Sequence, residues 1–167
     1  QGDANIIIAG GMENMSLAPH YLLNSRQGLN FGDSKLKDAI LHDGLWDPYN
    51  KMPMGGCAEI LNKEENISRK DQDAFAIQSY ERSNLAIKKG YFKNEIIPIE
   101  VTTKKNTMLI DTDEEPLKFN KDRILKLKPV FKQDGSITAA NASSLSDGAA
   151  AVLLASKNNI EKYKLNP

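Results

Sequence analysis

The sequence predicts an α/β fold, on three observations. Two short runs, Asn5–Ala9 near the start and Ala149–Ala155 near the end, are continuously apolar rather than alternating, the pattern of strands buried on both faces and so of a covered parallel sheet. Between them lies a helix with its own start and stop signals: Ser68 with Asp71 three residues on resembles a capping box, and Gly90 follows as the stop.

The first run begins almost at once, behind Gln rather than Met, as expected of a fragment. Gly10-Gly11 after it reads as a tight strand exit, because the GxGxxG spacing is absent and no Walker lysine follows. The polar stretch from Met15 to Lys128 holds most of the charge and is expected as an insertion between two sheet strands. Within it, Ser34–Leu41 and Met54–Asn62 read as helices, and Gly55-Gly56 as a loop-to-helix entry that lets another group approach the backbone. Phe75, Ile77 and Leu85 form no clean stripe on the capped helix, which is therefore expected to be covered on several sides. Ile96–Val101 alternates around Pro98, which restricts it to an edge strand, and Met108–Ile110 is a partner for it. Lys157–Lys164 begins a final helix.

Composition excludes several classes. With 167 residues, 22 Lys+Arg against 22 Asp+Glu and a net charge of +0, there is no basic excess for nucleic acid. A hydrophobic content of 40% excludes a disordered charged tail. No apolar run approaches the ~18 residues of a membrane span, so a soluble protein is expected. Cys57 alone forms no internal disulfide, and with His20 and His42 it offers neither CxxC nor HExxH, so zinc is not expected, although carboxylates suit a hard cation. The length suits one domain or a lobe, able to bury roughly two thirds of its unfolded surface without a cofactor.

The most informative segment is ITAANASSLSDGAAAVLL, Ile137 to Leu154. Small residues at Ala139, Ala140, Asn141, Ala142 and Ser143 suit a slot for an extended, partly apolar ligand held by backbone amides, or the tight packing of a helix on a sheet. Lys118, Lys121, Arg123, Lys126 and Lys128 suit ligand phosphates or a solvated face. Cys57 has no neighbouring His in sequence and reads as a small buried side chain rather than a nucleophile; His20 and His42 lack evident catalytic partners.

Taken in order, AGGMENMSLAPH, DGLWDPYNKMPMGGCAE, SRKDQDAFAIQSYERS, EIIPIEV, LKPVFKQDGSITAANAS and SDGAAAVLL resemble the thiolases over nearly the whole chain. The wording DGLWDPYN and TAANAS is most similar to the biosynthetic acetoacetyl-CoA thiolase branch. The resemblance implies a thiolase fold fragment: residues 1–14 from the N-terminal αβ half, 15–128 as the inserted loop domain, and 129–167 as the end of that half and the start of the link onward. It implies reversible condensation of two acetyl-CoA to acetoacetyl-CoA through an acetyl-cysteine. The catalytic cysteines, histidine and asparagine would lie outside these 167 residues, leaving this chain a coenzyme A-binding surface that is inactive alone. Cys57 in MGGCAE matches neither family cysteine motif.

By the same resemblance Ser143 hydrogen-bonds pantetheine, Ala139 and Phe131 pack along it, and Leu45, Met54 and Tyr80 belong to the same channel. Lys118, Phe119, Asn120 and Arg123 match the loop that grips the adenosine end. Tyr80 with Ala139, Ala140 and Ala142 matches a potassium site of mitochondrial members; no other cofactor is implied, and coenzyme A is substrate. Pro53 stands where many members have histidine, which is expected to tune acyl selectivity. The Leu17–Leu41 region is expected to supply contacts of a homotetramer, in the cytoplasm or mitochondrion, with acetyl-CoA and acetoacetyl-CoA as small-molecule partners and neither nucleic acid nor membrane. The rivals are a degradative 3-ketoacyl-CoA thiolase, a non-catalytic CoA or acyl-chain binding protein of the same fold, and a nucleotide-binding α/β module.

Overall fold

In the computed structural model, which describes residues 2–167, the two apolar runs become the long strands β1 (Ile6–Asn14) and β8 (Asp147–Ala155). They pair antiparallel, in register from Ile6 opposite Ala155 to Asn14 opposite Asp147. The expected parallel direction is corrected to antiparallel, and within these residues both faces of the pair are exposed. Ile8 and Leu153 on one face are 77% and 57% exposed, and Ile7 and Leu154 on the other 48% and 53%. A continuous apolar run reports a strand suited to burial on both faces, but says nothing about the direction of its neighbour.

Gly10 and Gly11 are corrected too. They lie inside β1 opposite Ala151 and Ala150, and the strand runs on to Asn14. A Cβ on Gly10 would stand 2.7 Å from the Ala150 carbonyl oxygen, so the glycine serves a close backbone approach. Beyond Asn14, the Ser16 amide donates to Asp147 Oδ1 at 2.9 Å, tying the two strand ends together.

The expected helix at Ser34–Leu41 is not formed. Leu36–Asp38 is a strand, β3, antiparallel to β2 (His20–Leu22), and Ile40–Gly44 makes one wide helical turn. Asp38 Oδ1 accepts from the Ile40 amide at 2.9 Å, a local bond that competes with helix, and so short a segment cannot offset helix nucleation. These elements and α4 (Lys157–Tyr163) form one compact unit, residues up to Gly44 with Leu145–Pro167; Leu45–Ser144 form the other. The resemblance places its divisions elsewhere, at 14/15 and 128/129.

In the second unit the short strands β4 (Trp46–Asp47) and β5 (Met52–Pro53) lead into α1 (Met54–Glu64), the helix expected at Met54–Asn62. Helix α2 (Arg69–Lys89) starts and stops where its signals stand. The Ser68 hydroxyl accepts from the Asp71 amide at 3.1 Å, the Asp71 carboxylate accepts from the Ser68 amide, and Gly90 is left-handed with φ 68°. Strands β6 (Ile99–Thr102) and β7 (Thr107–Ile110) pair as a hairpin. Ile96–Pro98 stay outside it, because the Ile96 amide is bonded to the Phe92 carbonyl and Pro98 has no N–H to give. Helix α3 (Lys121–Ile124) is a single turn.

The buried apolar residues of this unit are Ala76, Ile77, Ile124 and Ile137, beside Asp73 and the fully buried Thr138. Total accessible area is 14453 Å², whereas two self-contained bodies of this combined mass would expose about 10,000 Å². The expected two-thirds burial is thus not reached by these residues alone. Unit stability therefore leans on local terms such as the α2 cap. Ser68→Ala is expected to cost about 1 kcal/mol, read as a lower urea midpoint at unchanged slope.

Candidate functional site

Helix α2 turns a mixed face toward the 140–144 loop. Gln72, Phe75, Ala76, Ser79, Tyr80 and Ser83, three or four residues apart, share that face and with Ala140–Ser144 line a cavity of about 700 Å³. Glu115 and Pro116 line it as well. The Tyr80 hydroxyl donates to Glu115 Oε1 at 3.1 Å, and its ring stacks on Phe119 with centroids 5.4 Å apart. Partial burial, then the hydrogen bond and charge of Glu115, push the Tyr80 hydroxyl pKa up, so it stays a neutral donor. Lys118 Nζ bonds Glu115 Oε2 at 2.9 Å in an exposed pair that solvent screens, so this cation is available to a ligand at small cost.

The loop before the cavity has no ladder partners, and two helices supply them. Glu59 on α1 accepts from the amides of Ser136 and Ile137, both at 2.8 Å, and from the Ser136 hydroxyl at 3.0 Å. Partial burial opposes ionisation of Glu59, but those donors and the charge of Lys132 outweigh it and hold the carboxyl below its usual range. Asn141 closes the turn: its Oδ1 accepts from the Thr138 amide at 2.7 Å and its Nδ2 donates to the Ser136 carbonyl at 3.1 Å. The second helix enters at Asp73 on α2, whose Oδ1 accepts from Asn141 Nδ2 at 3.0 Å.

A second group of residues meets at the start of α1. The Met54 amide donates to the Leu45 carbonyl at 2.9 Å, and the Phe131 ring lies directly over Gly55, where any Cβ would collide with it. Gly55 thus performs the close approach expected of it. Pro53 precedes the helix in extended conformation and offers it no side-chain cap. Asp47 accepts from the Tyr49 and Asn50 amides and the Asn50 side chain, which, led by that side chain, hold its pKa down. Cys57 Sγ lies 3.6 Å from Asp47 Oδ2; burial and then that negative charge push the thiol up, opposite to what a nucleophile needs.

The third segment is basic. Asn120 caps α3, its Oδ1 accepting from the Arg123 amide at 3.0 Å, and Asn120, Asp122, Arg123, Lys126 and Leu127 line a hollow of about 470 Å³. Arg123 and Lys126 are exposed there.

Of the residues singled out from sequence, Ser143, Tyr80, Ala140 and Ala142 meet at the large cavity, whereas Ala139 is exposed beside it and does not line it. Leu45, Met54 and Phe131 cluster at Gly55, outside the lining of that cavity. Asn120 and Arg123 share the small hollow; Lys118 and Phe119 stand with Tyr80. Sequence reasoning missed Glu59, Asp73, Glu115 and the cavity face of α2. The last had a signal, the three-and-four spacing of 72, 75, 76, 79, 80 and 83, hidden because its chemistry is mixed rather than apolar. Among the described residues no three His, Cys, Asp or Glu side chains gather as a metal cluster, and no helix is long and apolar enough to cross a membrane.

The family description "Thiolase, N-terminal domain" matches residues 1–158, and the chain belongs to the thiolase family. The acetyl-CoA acetyltransferase of Yarrowia lipolytica is 53% identical over 155 residues, covering 93% of this chain and 38% of that protein. That of Pseudomonas aeruginosa is 50% identical over 157 residues, 93% of this chain and 40% of that protein. Human mitochondrial 3-ketoacyl-CoA thiolase superposes with TM-score 0.83 at 40% identity, covering 99% of this chain and 42% of that one. The Acat5 thiolase of Ascaris suum, solved in complex with coenzyme A, gives 0.82 at 38%, with the same coverage. The chain thus spans about two fifths of the length of the relatives it matches.

Glu59 makes the loop's stability depend on pH. Its folded pKa is lowered, so its contribution is complete above the ordinary value of 4.5 and fades as pH falls through the lower folded value. Glu59→Gln should therefore melt well below the unsubstituted protein at about pH 7, and the gap should close as the pH falls below 4.5 through the lowered folded value. A gap independent of pH would show that the carboxylate charge is not what holds the loop.

Proposed function

We propose that this chain is the coenzyme A-binding portion of a thiolase that condenses two acetyl-CoA reversibly to acetoacetyl-CoA through an acetyl-cysteine. The observation that carries the reading is the juxtaposition, around one cavity, of a small-residue slot at 140–144 with Tyr80 and Glu115, against which Phe119 stacks and Lys118 pairs. In it, Ser143 is the hydrogen-bonding contact for pantetheine, Ala139, Phe131, Leu45 and Met54 line its path, and Lys118, Asn120 and Arg123 meet the adenosine phosphates, where cationic donors are strongest. The nucleophile and acid/base groups belong to parts of the protein outside these residues, so the 167 residues alone are inactive. Those parts would also cover the exposed faces of β1 and β8.

The biosynthetic reading is supported by the names of the relatives in Yarrowia and Pseudomonas. The superposition on a human 3-ketoacyl-CoA thiolase supports a degradative second reading. Thiolysis by the complete protein separates the two. Turnover confined to acetoacetyl-CoA supports the first, with Ser143→Ala raising the KM for CoA up to about tenfold, the worth of one hydrogen bond. Turnover of longer 3-ketoacyl-CoA supports the second, and a folded protein that binds CoA without turnover would leave a binding protein of the same fold. The exposed Leu17, Leu29 and Phe31 support tetramer contacts from the Leu17–Leu41 region, and the size of the same preparation in solution checks them.

A potassium ion at Tyr80 is supported by Ala140 and Ala142, which line the same cavity and whose carbonyl oxygens are hard ligands, and by Glu115, whose negative charge lies 3.1 Å from the hydroxyl; Ala139, outside that lining, is the part of the expected donor set the cavity does not include. Bound there, the ion would supply charge that stiffens the loop carrying Ser143. CoA binding by the complete protein is then expected to be tighter in KCl than in NaCl of equal ionic strength, and Tyr80→Phe to abolish the difference. Equal affinity in the two salts would remove potassium from the site.

A further inference from the structure

We propose that Arg69, Asp73 and Asn141 form a bridge that sets the spacing between the two ends of the coenzyme A site, with Asp73 as its positioning residue. The inference rests on the reading of the 120–127 and 136–143 segments as the adenosine and pantetheine ends of one site. Neither segment is in a sheet, and between them they contain one turn of helix, so their separation must be set by side chains.

Asp73 is 4% exposed and both of its oxygens are used in different directions. Oδ2 accepts from Arg69 Nε at 2.7 Å, one turn earlier on α2. Arg69 then reaches out of the helix, its Nη2 donating to the carbonyls of Leu127 at 3.0 Å and Ile124 at 3.3 Å, where α3 ends. Oδ1 accepts from Asn141, whose carboxamide closes the 136–141 turn through Ser136 and Thr138. One carboxylate on a long helix thus holds the end of the basic segment with one oxygen and the small-residue turn with the other. A buried ion pair must have its remaining donors and acceptors satisfied, and here the groups that satisfy them lie on these two segments, so the pair ties both to one helix.

The bridge makes its two arms separable. Arg69→Lys keeps a cation beside Asp73 but loses the planar fork that reaches Ile124 and Leu127, so it releases only the adenosine arm. Asp73→Asn has one carbonyl oxygen in place of two acceptors, so at least one arm faces an amide donor, and both lose the carboxylate charge that strengthens their hydrogen bonds. Amide hydrogen exchange in the ligand-free protein reads the bridge directly. Asp73→Asn should speed exchange in both 120–127 and 136–142, and Arg69→Lys in 120–127 alone.

Calorimetric titration of the same variants reads its use. Arg69→Lys should weaken 3′,5′-ADP several-fold and leave pantetheine unchanged. Asp73→Asn should weaken both fragments, and intact CoA by about tenfold or more. Unchanged exchange in either segment of Asp73→Asn overturns the bridge, as does loosening of 136–142 by Arg69→Lys, which would indicate general loss of packing. Exchange as expected with no uptake of CoA or either fragment by the unsubstituted protein overturns the coenzyme A reading, and with it the assigned purpose, while leaving the hydrogen-bonded bridge intact.

Discussion

The carboxylate of Glu59 is the interaction on which the rest of the candidate site depends. The 136–144 loop is made of Ser, Thr, Asn and Ala apart from the buried Ile137, so side-chain packing gives it little shape. Its amides must be paired, and no strand runs beside them. Glu59 takes two of these amides at one end, and Asn141, braced by Asp73, takes a third. Gly135 is part of the same design, because a side chain there would run into the Glu59 carboxylate. With its shape held from outside, the loop can present small residues and free space to a ligand instead of filling it.

That arrangement also bears on the two readings left open by composition, since no helix forms at 139–146. A run of small residues suits either a helix packed tightly on a sheet or a slot. Residues 139–146 form turn and loop before β8 begins, and 140–144 face a cavity. The same economy appears at Gly55, where the absence of a side chain is filled by the ring of Phe131, a residue far along the chain.

What was legible in the sequence was local. The α2 caps lie within three residues of what they cap, and the apolar runs of β1 and β8 declare themselves residue by residue. The order of the family-like segments was legible as well, because it depends only on sequence. What was hidden depends on distant partners: Glu59 meets Ser136 across 77 positions, and Asn141 meets Asp73 across 68. The direction of the β1–β8 pair was hidden for the same reason. At Ser34–Leu41 the sequence read as helix, while the Asp38 carboxylate and a hairpin partner around His20 favoured strand. Short segments are where such competition is lost by the periodic signal.

The β1–β8 pairing has a kinetic meaning as well. It joins the two ends of the sequence, so the ladder closes nearly the largest loop the chain contains. The entropy of that closure grows only logarithmically with loop length, and it falls when the intervening residues have already condensed. Leu45–Ser144, with its capped helix and its own buried residues, is able to condense before β8 arrives.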